Sequence, residues 1–134
     1  KEAIFDAIDT AKMCLSVFAP MIATMTVKPE NMRKAAAEGF INATDAADYL
    51  VKKGMPFRTA YKITGQLVAH CIQTRQTLET LPLGEYQSMS ELFGDDIYEA
   101  VNLDTCVKTR ISEGGTSPES VTAQIRQIRD SILH

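Results

Sequence analysis

The first 25 residues carry an apolar seam through three heptad repeats. Its members recur in alternating steps of four and three, at Ile4, Ile8, Ala11, Leu15, Phe18, Ile22 and Met25. A helix with this spacing packs against facing helices along its whole length. A second stripe widens that face and consists of Ala3, Ala7, Cys14 and Met21. The pattern predicts one helix of a larger helical bundle.

This helix is long relative to the chain that must cover it. A rod of these residues spans nearly 40 Å at a rise of about 1.5 Å per residue. Burying its seam contributes on the order of 10 kcal/mol before entropy, at roughly 1.5–3 kcal/mol per large side chain. The rest of a 134-residue chain can hardly cover such a rod, so we expect partner helices. Pro20 predicts a kink near Ser16 rather than an end, because the seam continues to Met25.

Glycine and proline divide the remainder into shorter helices. We predict helices over 29–38, 45–53, 56–73, 83–89, 95–101 and from 118 onward. Thr44 is the expected N-cap of the helix that ends at Gly54, and Ser117 caps the last helix. No alternating pattern predicts a strand longer than three residues. The predicted class is all-α, with a long bundle helix followed by a small multi-helix C-terminal domain.

Charge and hydropathy exclude several classes of protein. The net charge of -3 provides no electrostatic footprint for nucleic acid. No apolar run approaches the roughly 20 residues that cross a bilayer, so we expect no membrane partner. Glu2, Asp6 and Asp9 interrupt the one stretch that could act as a secretory signal. A cytoplasmic location is the expectation that follows.

The cysteines and histidines give little support to a metal site. Cys14, Cys71 and Cys106 are far apart and form no CxxC pair, and the two histidines are His70 and His134. We interpret the cysteines as free thiols and expect neither a metal nor another cofactor. A dyad of His70 with Cys71 is disfavoured, because adjacent side chains on a helix diverge by about 100°.

The other polar motifs have simpler explanations than catalysis. Asp95 and Asp96 suit the first turn of a helix, where negative charge complements the helix dipole. The stretch 113–117 lacks the spacing of a phosphate-binding loop and is interpreted as a flexible hinge. A charged face at helical spacing is interpreted as solvated, and consists of Asp45, Asp48, Lys52 and Lys53. Nothing in the sequence brings together the basic residues that could bind an anion, Arg58, Lys62, Arg75, Arg126 and Arg129. We therefore assign no catalytic residue.

Three segments carry a resemblance to a known family. They are Val17–Met25, Glu38–Arg58 and Gly114–Val121, and the Ala43-Thr44-Asp45 motif is the most specific part. In this order they resemble the C-terminal part of argininosuccinate lyase, a family that includes the delta-crystallins. The resemblance covers essentially the whole chain. It implies that residues 1–27 are the last helix of the central bundle and residues 28–134 a C-terminal helical domain.

The resemblance also implies an activity and an assembly. The family cleaves argininosuccinate to arginine and fumarate by β-elimination, in arginine biosynthesis, without a cofactor. Its members are homotetramers with active sites built from three subunits, which fits a seam in residues 1–25. The family's Gly-Ser-Ser loop with the catalytic serine and its histidine segment do not occur here, so we expect this chain to be inactive alone. Lys1 resembles a family lysine that contacts a substrate carboxylate, and is the one candidate substrate-binding residue.

Two alternatives remain open at the level of sequence. A stand-alone all-α interaction module would share the helical pattern, although a bare apolar seam disfavours it. A structural relative of the delta-crystallin type would have the same features in this region. The sequence does not separate that relative from an active lyase.

Overall fold

The computed structural model describes residues 1–132, and its helices follow the glycine and proline punctuation. The described residues form eight helices: α1 (Glu2–Ala23), α2 (Pro29–Glu38), α3 (Ala43–Lys52), α4 (Phe57–Thr74), α5 (Leu83–Met89), α6 (Ile97–Val101), α7 (Leu103–Lys108) and α8 (Pro118–Ile132). They contain no strand, so the all-α class is confirmed. Among these residues no helix has the length and apolar character that crossing a membrane requires.

The chain divides into two compact units, Lys1–Met32 and a second that begins at Arg33. This division falls inside α2 and does not test the predicted domain boundary between residues 27 and 28. In the first unit α1 has no buried residue, and Leu15 in its seam is 70% exposed. The helix passes through Pro20 and ends at Ala23, so Pro20 does not terminate it. The kink near Ser16 stays a prediction.

In the second unit α3 is the central helix, packing against α4 and α6. The largest fully buried apolar side chains are Tyr86, Phe93, Leu50, Leu67, Leu78, Leu81, Ile97 and Val101. The ring of Tyr86 lies 5.0 Å from that of Phe93, and its hydroxyl donates to the Leu78 carbonyl at 2.6 Å. This aromatic cluster joins α5 to the turn before α6. The Tyr86 ring can be fully buried there because its one polar atom is hydrogen-bonded.

The turn after α3 has the geometry of a Schellman motif. Gly54 has a φ of 95°, a left-handed conformation that glycine adopts without a steric penalty. The amide of Met55 donates to the Leu50 carbonyl at 3.0 Å, and that of Gly54 to the Val51 carbonyl at 2.9 Å. Met55 also packs against the core. Gly54 is therefore confirmed as the residue that closes this helix, whose last residue is Lys52 instead of the predicted Lys53.

The predicted start of α3 at Asp45 is two residues too late. The helix begins at Ala43 after Asn42, so Thr44 lies inside it and is not the N-cap. Asn42 is buried and donates through Nδ2 to the Val101 carbonyl at 2.5 Å. Its side chain thus joins α3 to α6 instead of capping α3, a long-range contact that local sequence does not encode.

Two further features differ from the expectation. The sequence reading missed α7, whose N-cap Asn102 accepts from the amides of Asp104 and Thr105 at 3.0 and 3.2 Å. The predicted hinge at 113–117 is a closely packed turn, since the Ser117 amide donates to the Arg110 carbonyl at 3.1 Å. Ser117 is fully buried and accepts from the Ser120 amide, which confirms it as the cap of α8.

Candidate functional site

Lys1 stands immediately before α1 and is exposed. Its carbonyl accepts from the amides of Ile4 and Phe5 at 3.1 and 3.2 Å, which fixes its backbone at the start of the helix. Its role as a contact to a substrate carboxylate stays a prediction.

His70 and Cys71 point to different environments, as their adjacency on a helix predicts. His70 Nε2 lies 2.5 Å from Glu85 Oε2, which links α4 to α5. Cys71 is fully buried, and burial, with a smaller contribution from Glu85, raises the pKa of its thiol to about 11. A thiol with this pKa is neutral at physiological pH and is a poor nucleophile. The two residues therefore form no catalytic dyad.

A polar network centred on Tyr49 joins α3 to the start of α6. The Tyr49 hydroxyl donates to Asp96 Oδ1 and accepts from the Gly94 amide at 3.0 Å and from Lys53. Lys53 Nζ is also 3.0 Å from Asp96 Oδ1. The hydrogen bond to Tyr49, followed by that to Asp96, raises the pKa of Lys53. The hydrogen bond to Tyr49, followed by that to Lys53, lowers the pKa of Asp96.

Both charges in this network are paired, and the Tyr49 hydroxyl is fully engaged. The network therefore joins α3 to the start of α6 and contains no free base. The helix predicted over 95–101 begins at Ile97, so Asp95 and Asp96 precede its first turn, and Asp96 at the N-cap position makes no side-chain capping hydrogen bond. Asp95 and Asp96 thus do not form a catalytic carboxylate pair.

A second ion pair corrects the interpretation of α3 as carrying a solvated charged face. Asp45 Oδ2 accepts from Arg110 Nη2 at 2.9 Å, and Arg110 also donates to the Cys106 carbonyl. The hydrogen bond that Arg110 donates to Asp45 raises the pKa of Arg110. Burial, followed by the contact with Asp45, raises the pKa of the Cys106 thiol to about 12. Arg110 therefore ties α3 to the end of α7 across 65 residues of sequence.

An open cavity of about 370 Å³ lies beside this pair. It is lined by Asp45, Asp48, Tyr49, Lys52, Ala100, Thr105, Thr109 and Arg110. The two acidic and two basic side chains of this lining balance, and Arg110 is already bound to Asp45. The cavity therefore does not concentrate charge for an ionic substrate. Among residues 1–132, no group of three or more His, Cys, Asp or Glu side chains could hold a metal ion.

The candidate anion-binding residues lie on separate elements. Arg58 and Lys62 belong to α4, and Arg126 and Arg129 to α8, while Arg75 has left-handed geometry just after α4. The polar contacts of the described residues thus join helices to one another. They do not place an acid, a base and an electrophile around one space. Sequence reasoning missed Tyr49 and Arg110 as the centres of these contacts. The only local signal was the i,i+4 spacing of Tyr49 and Lys53.

Comparison with known proteins decides the family. Residues 40–108, from the turn before α3 to the end of α7, match the family described as argininosuccinate lyase C-terminal. The chain belongs to this family. The resemblance inferred from the sequence is therefore confirmed, and it includes the Ala43-Thr44-Asp45 motif.

Curated relatives extend the match to nearly the whole chain. The argininosuccinate lyase of Desulforamulus reducens is 52% identical over 132 residues, which are 98% of this chain and 29% of the relative. That of Acetivibrio thermocellus is 55% identical over 125 residues, 93% of this chain and 27% of the relative. The chain therefore corresponds to a C-terminal portion and spans less than a third of the length of these relatives.

A solved structure supports the same fold. An EDDS lyase variant with bound fumarate is 29% identical in sequence and superposes with a TM-score of 0.69. The match covers 76% of this chain and 22% of that one. This chain and the EDDS lyase variant thus share this helical arrangement.

Proposed function

We propose that this chain is the C-terminal part of an argininosuccinate lyase, which cleaves argininosuccinate to arginine and fumarate in arginine biosynthesis. The observation that carries the proposal is the 52% identity to such a lyase across 98% of the chain. The fumarate bound to the structurally similar lyase fits the same proposal, because fumarate is the unsaturated acid that this β-elimination releases.

The chemistry requires groups that the described residues do not bring together. β-Elimination needs a base that removes the proton beside a carboxylate and an acid that protonates the departing guanidinium nitrogen. It also needs a site that stabilises the carbanion. We expect the rest of the polypeptide and neighbouring subunits to provide these groups, so the 134-residue chain by itself should be inactive. Lys1 would contribute an ammonium group to a substrate carboxylate.

The proposed assembly is a homotetramer formed through α1. Six large seam side chains are exposed: Ile4, Ile8, Leu15, Phe18, Ile22 and Met25. Covering them with helices of other subunits would contribute on the order of 10 kcal/mol per chain before entropy. In this proposal residues 1–27 belong to the central bundle and residues 28–134 form the C-terminal helical domain, in a cytoplasmic enzyme.

The test is an assay of the native polypeptide that contains residues 40–108. We expect the purified protein to release fumarate and arginine from argininosuccinate, with no added metal or cofactor. A matched preparation of the 134-residue chain should release neither product. A native polypeptide that assembles but converts no substrate would contradict the lyase proposal and would favour a structural relative of the delta-crystallin type.

A further inference from the structure

Arg33 connects the second helix, α2, to distant parts of the chain. Its Nη2 atom donates to Glu79 Oε1 at 3.2 Å, and its Nη1 atom donates to Asp104 Oδ1 at 3.3 Å. Glu79 lies in the turn between α4 and α5, and Asp104 lies in the first turn of α7. One guanidinium thus joins α2 to two sites that are 46 and 71 residues away in sequence. We refer to these three residues as the Arg33 cluster.

Glu79 is the central acceptor of the Arg33 cluster. Its Oε1 atom also accepts from the Leu103 amide at 3.1 Å, and its side chain is 21% exposed. The side chains of Arg33 and Asp104 are more open to solvent, at 48% and 69% exposed. A planar guanidinium can donate to both carboxylates at once. Because these ion pairs lie at the surface, dissolved salt weakens them.

Apolar packing contributes little to the attachment of α2. The helix buries none of its residues, and Ala36 and Ala37 are half-buried. Its other ion pair, between Lys34 and Glu38 at 3.8 Å, lies within the helix. Among residues 1–132, the side-chain hydrogen bonds from α2 to another element come from Arg33. A helix of ten residues is marginal in water by itself, so α2 needs an attachment to stay folded.

The chain is held differently at the two ends of this segment. The division between the two compact units falls within α2, and Arg33 is the first residue of the second unit. After α2, Phe40 packs against the core and has a φ of 50°, a left-handed conformation that a bulky residue rarely adopts. Such a conformation persists only where the surroundings fix it. Phe40 is therefore a firm anchor, and between residues 33 and 40 the long-range polar contacts are those of Arg33.

We propose that α2 is a strap that the Arg33 cluster holds closed at low ionic strength and releases at high ionic strength. In the closed state residues 33–38 are helical and belong to the second unit. In the open state Arg33 exchanges both carboxylates for water and salt ions, and these residues lose their helical structure as far as the anchor at Phe40. The switch is independent of the proposed lyase chemistry, because it needs only the three side chains of the cluster.

The experiment is hydrogen–deuterium exchange of backbone amides, measured by mass spectrometry on the native-length protein. Exchange of a helical amide reports how often its segment opens. Arg33→Gln removes the cation of the cluster. Lys34→Gln is the matched control, because it removes the neighbouring charge and only the ion pair within α2. Each protein is measured in about 0.05 M and about 1 M NaCl, between which the screening length falls severalfold, with the α3 peptide as internal reference.

At low salt we expect the amides of residues 34–38 to exchange about fivefold faster in Arg33→Gln than in the wild type, equivalent to about 1 kcal/mol. Lys34→Gln should change the same rates by at most about twofold, because an ion pair within a helix contributes less. High salt should raise the wild-type rate, relative to α3, towards that of Arg33→Gln, and should leave the rate of this variant nearly unchanged.

A second substitution, Glu79→Gln, tests the acceptor. An amide oxygen at position 79 can still accept from the Leu103 amide, so this change removes the charge and keeps that hydrogen bond. Glu79→Gln should also speed exchange at low salt, and it should add little to Arg33→Gln because both act on one cluster. Equal rates for Arg33→Gln and Lys34→Gln would overturn the proposal. So would additive effects of the two cluster substitutions, or a wild-type rate that does not respond to salt.

Discussion

The long helix α1 and the α3–α4 core use the same kinds of apolar residue with opposite outcomes. Leu50 and Leu67 are completely buried within the second unit, whereas Leu15 in α1 is 70% exposed. The apolar seam of α1 nevertheless recurs in steps of four and three from Ile4 to Ile22. Hydrophobic periodicity therefore identifies a face that must be covered, and burial shows whether this chain itself covers it. We infer that the core stabilises the domain and that the seam builds the assembly.

The largest effect should come from a charge in the seam. Leu15→Asp in the native-length protein should dissociate the proposed tetramer, because a carboxylate buried between helices without a partner costs several kcal/mol. Sedimentation velocity measures the loss. Ser16→Asp is the matched control, since residue 16 lies on the face of α1 away from both apolar stripes by helical geometry. Equal sedimentation of Leu15→Asp and the wild type would contradict the bundle assignment.

The core side of the comparison is tested by Leu50→Ala. This change should lower the free energy of unfolding of the domain by about 2–5 kcal/mol, because it leaves a cavity at a completely buried position. The next residue of α3 provides the control, since Val51 is 36% exposed and Val51→Ala should cost less than about 1 kcal/mol. Chemical denaturation followed by circular dichroism measures both. Similar losses for the two variants would refute α3 as the centre of the core.

Removal of one hydroxyl should have a smaller effect. Tyr86→Phe leaves the Leu78 carbonyl without its buried donor and should cost about 1–3 kcal/mol. Tyr98→Phe removes a similar bond, to the Leu81 carbonyl at 2.8 Å, from a half-buried site and should cost less. Thermal unfolding of the two variants ranks them, and the reverse order would contradict the assignment of Tyr86 to the core.

The smallest effect concerns the surface end of the Tyr49 network. Because the pKa of Asp96 is lowered from 3.8 by its hydrogen bonds to Tyr49 and Lys53, these contacts stabilise the fold above that pH and lose their effect as the pH falls through the lowered pKa. Asp96→Asn should therefore lower the melting temperature slightly at neutral pH, and the difference from the wild type should vanish in acid. Asp95→Asn is the control. A difference that is constant with pH would show that charge is not the cause.

Sequence reasoning located the elements that local signals define. The second helix at 29–38 and the helix at 83–89 have the predicted bounds, because a proline near each start and a local break after each end are readable without tertiary context. The Asn102 cap of α7 is also a local signal, since its side chain accepts from the amides two and three residues later. It follows directly on α6, a helix of only five residues, and no second helix was predicted there.

What the sequence could not provide are the partners of side chains across the fold. Asn42 lies two residues before the expected cap Thr44, but its amide donates to the carbonyl of Val101, 59 residues away. Asp45 was expected to face solvent, but it pairs with Arg110. The resemblance identified the family of the chain, but it did not identify these contacts.

Native mass spectrometry of the protein captured from its source cell, through an antibody against residues 40–57, tests the central claim most directly. It measures the mass of one polypeptide and the number of copies in the complex. We predict a polypeptide more than three times heavier than 14.8 kDa, the mass of this chain, in a complex of four copies. A polypeptide near 14.8 kDa, or a heavier one that is monomeric, would contradict the account of α1 as the helix that assembles a lyase.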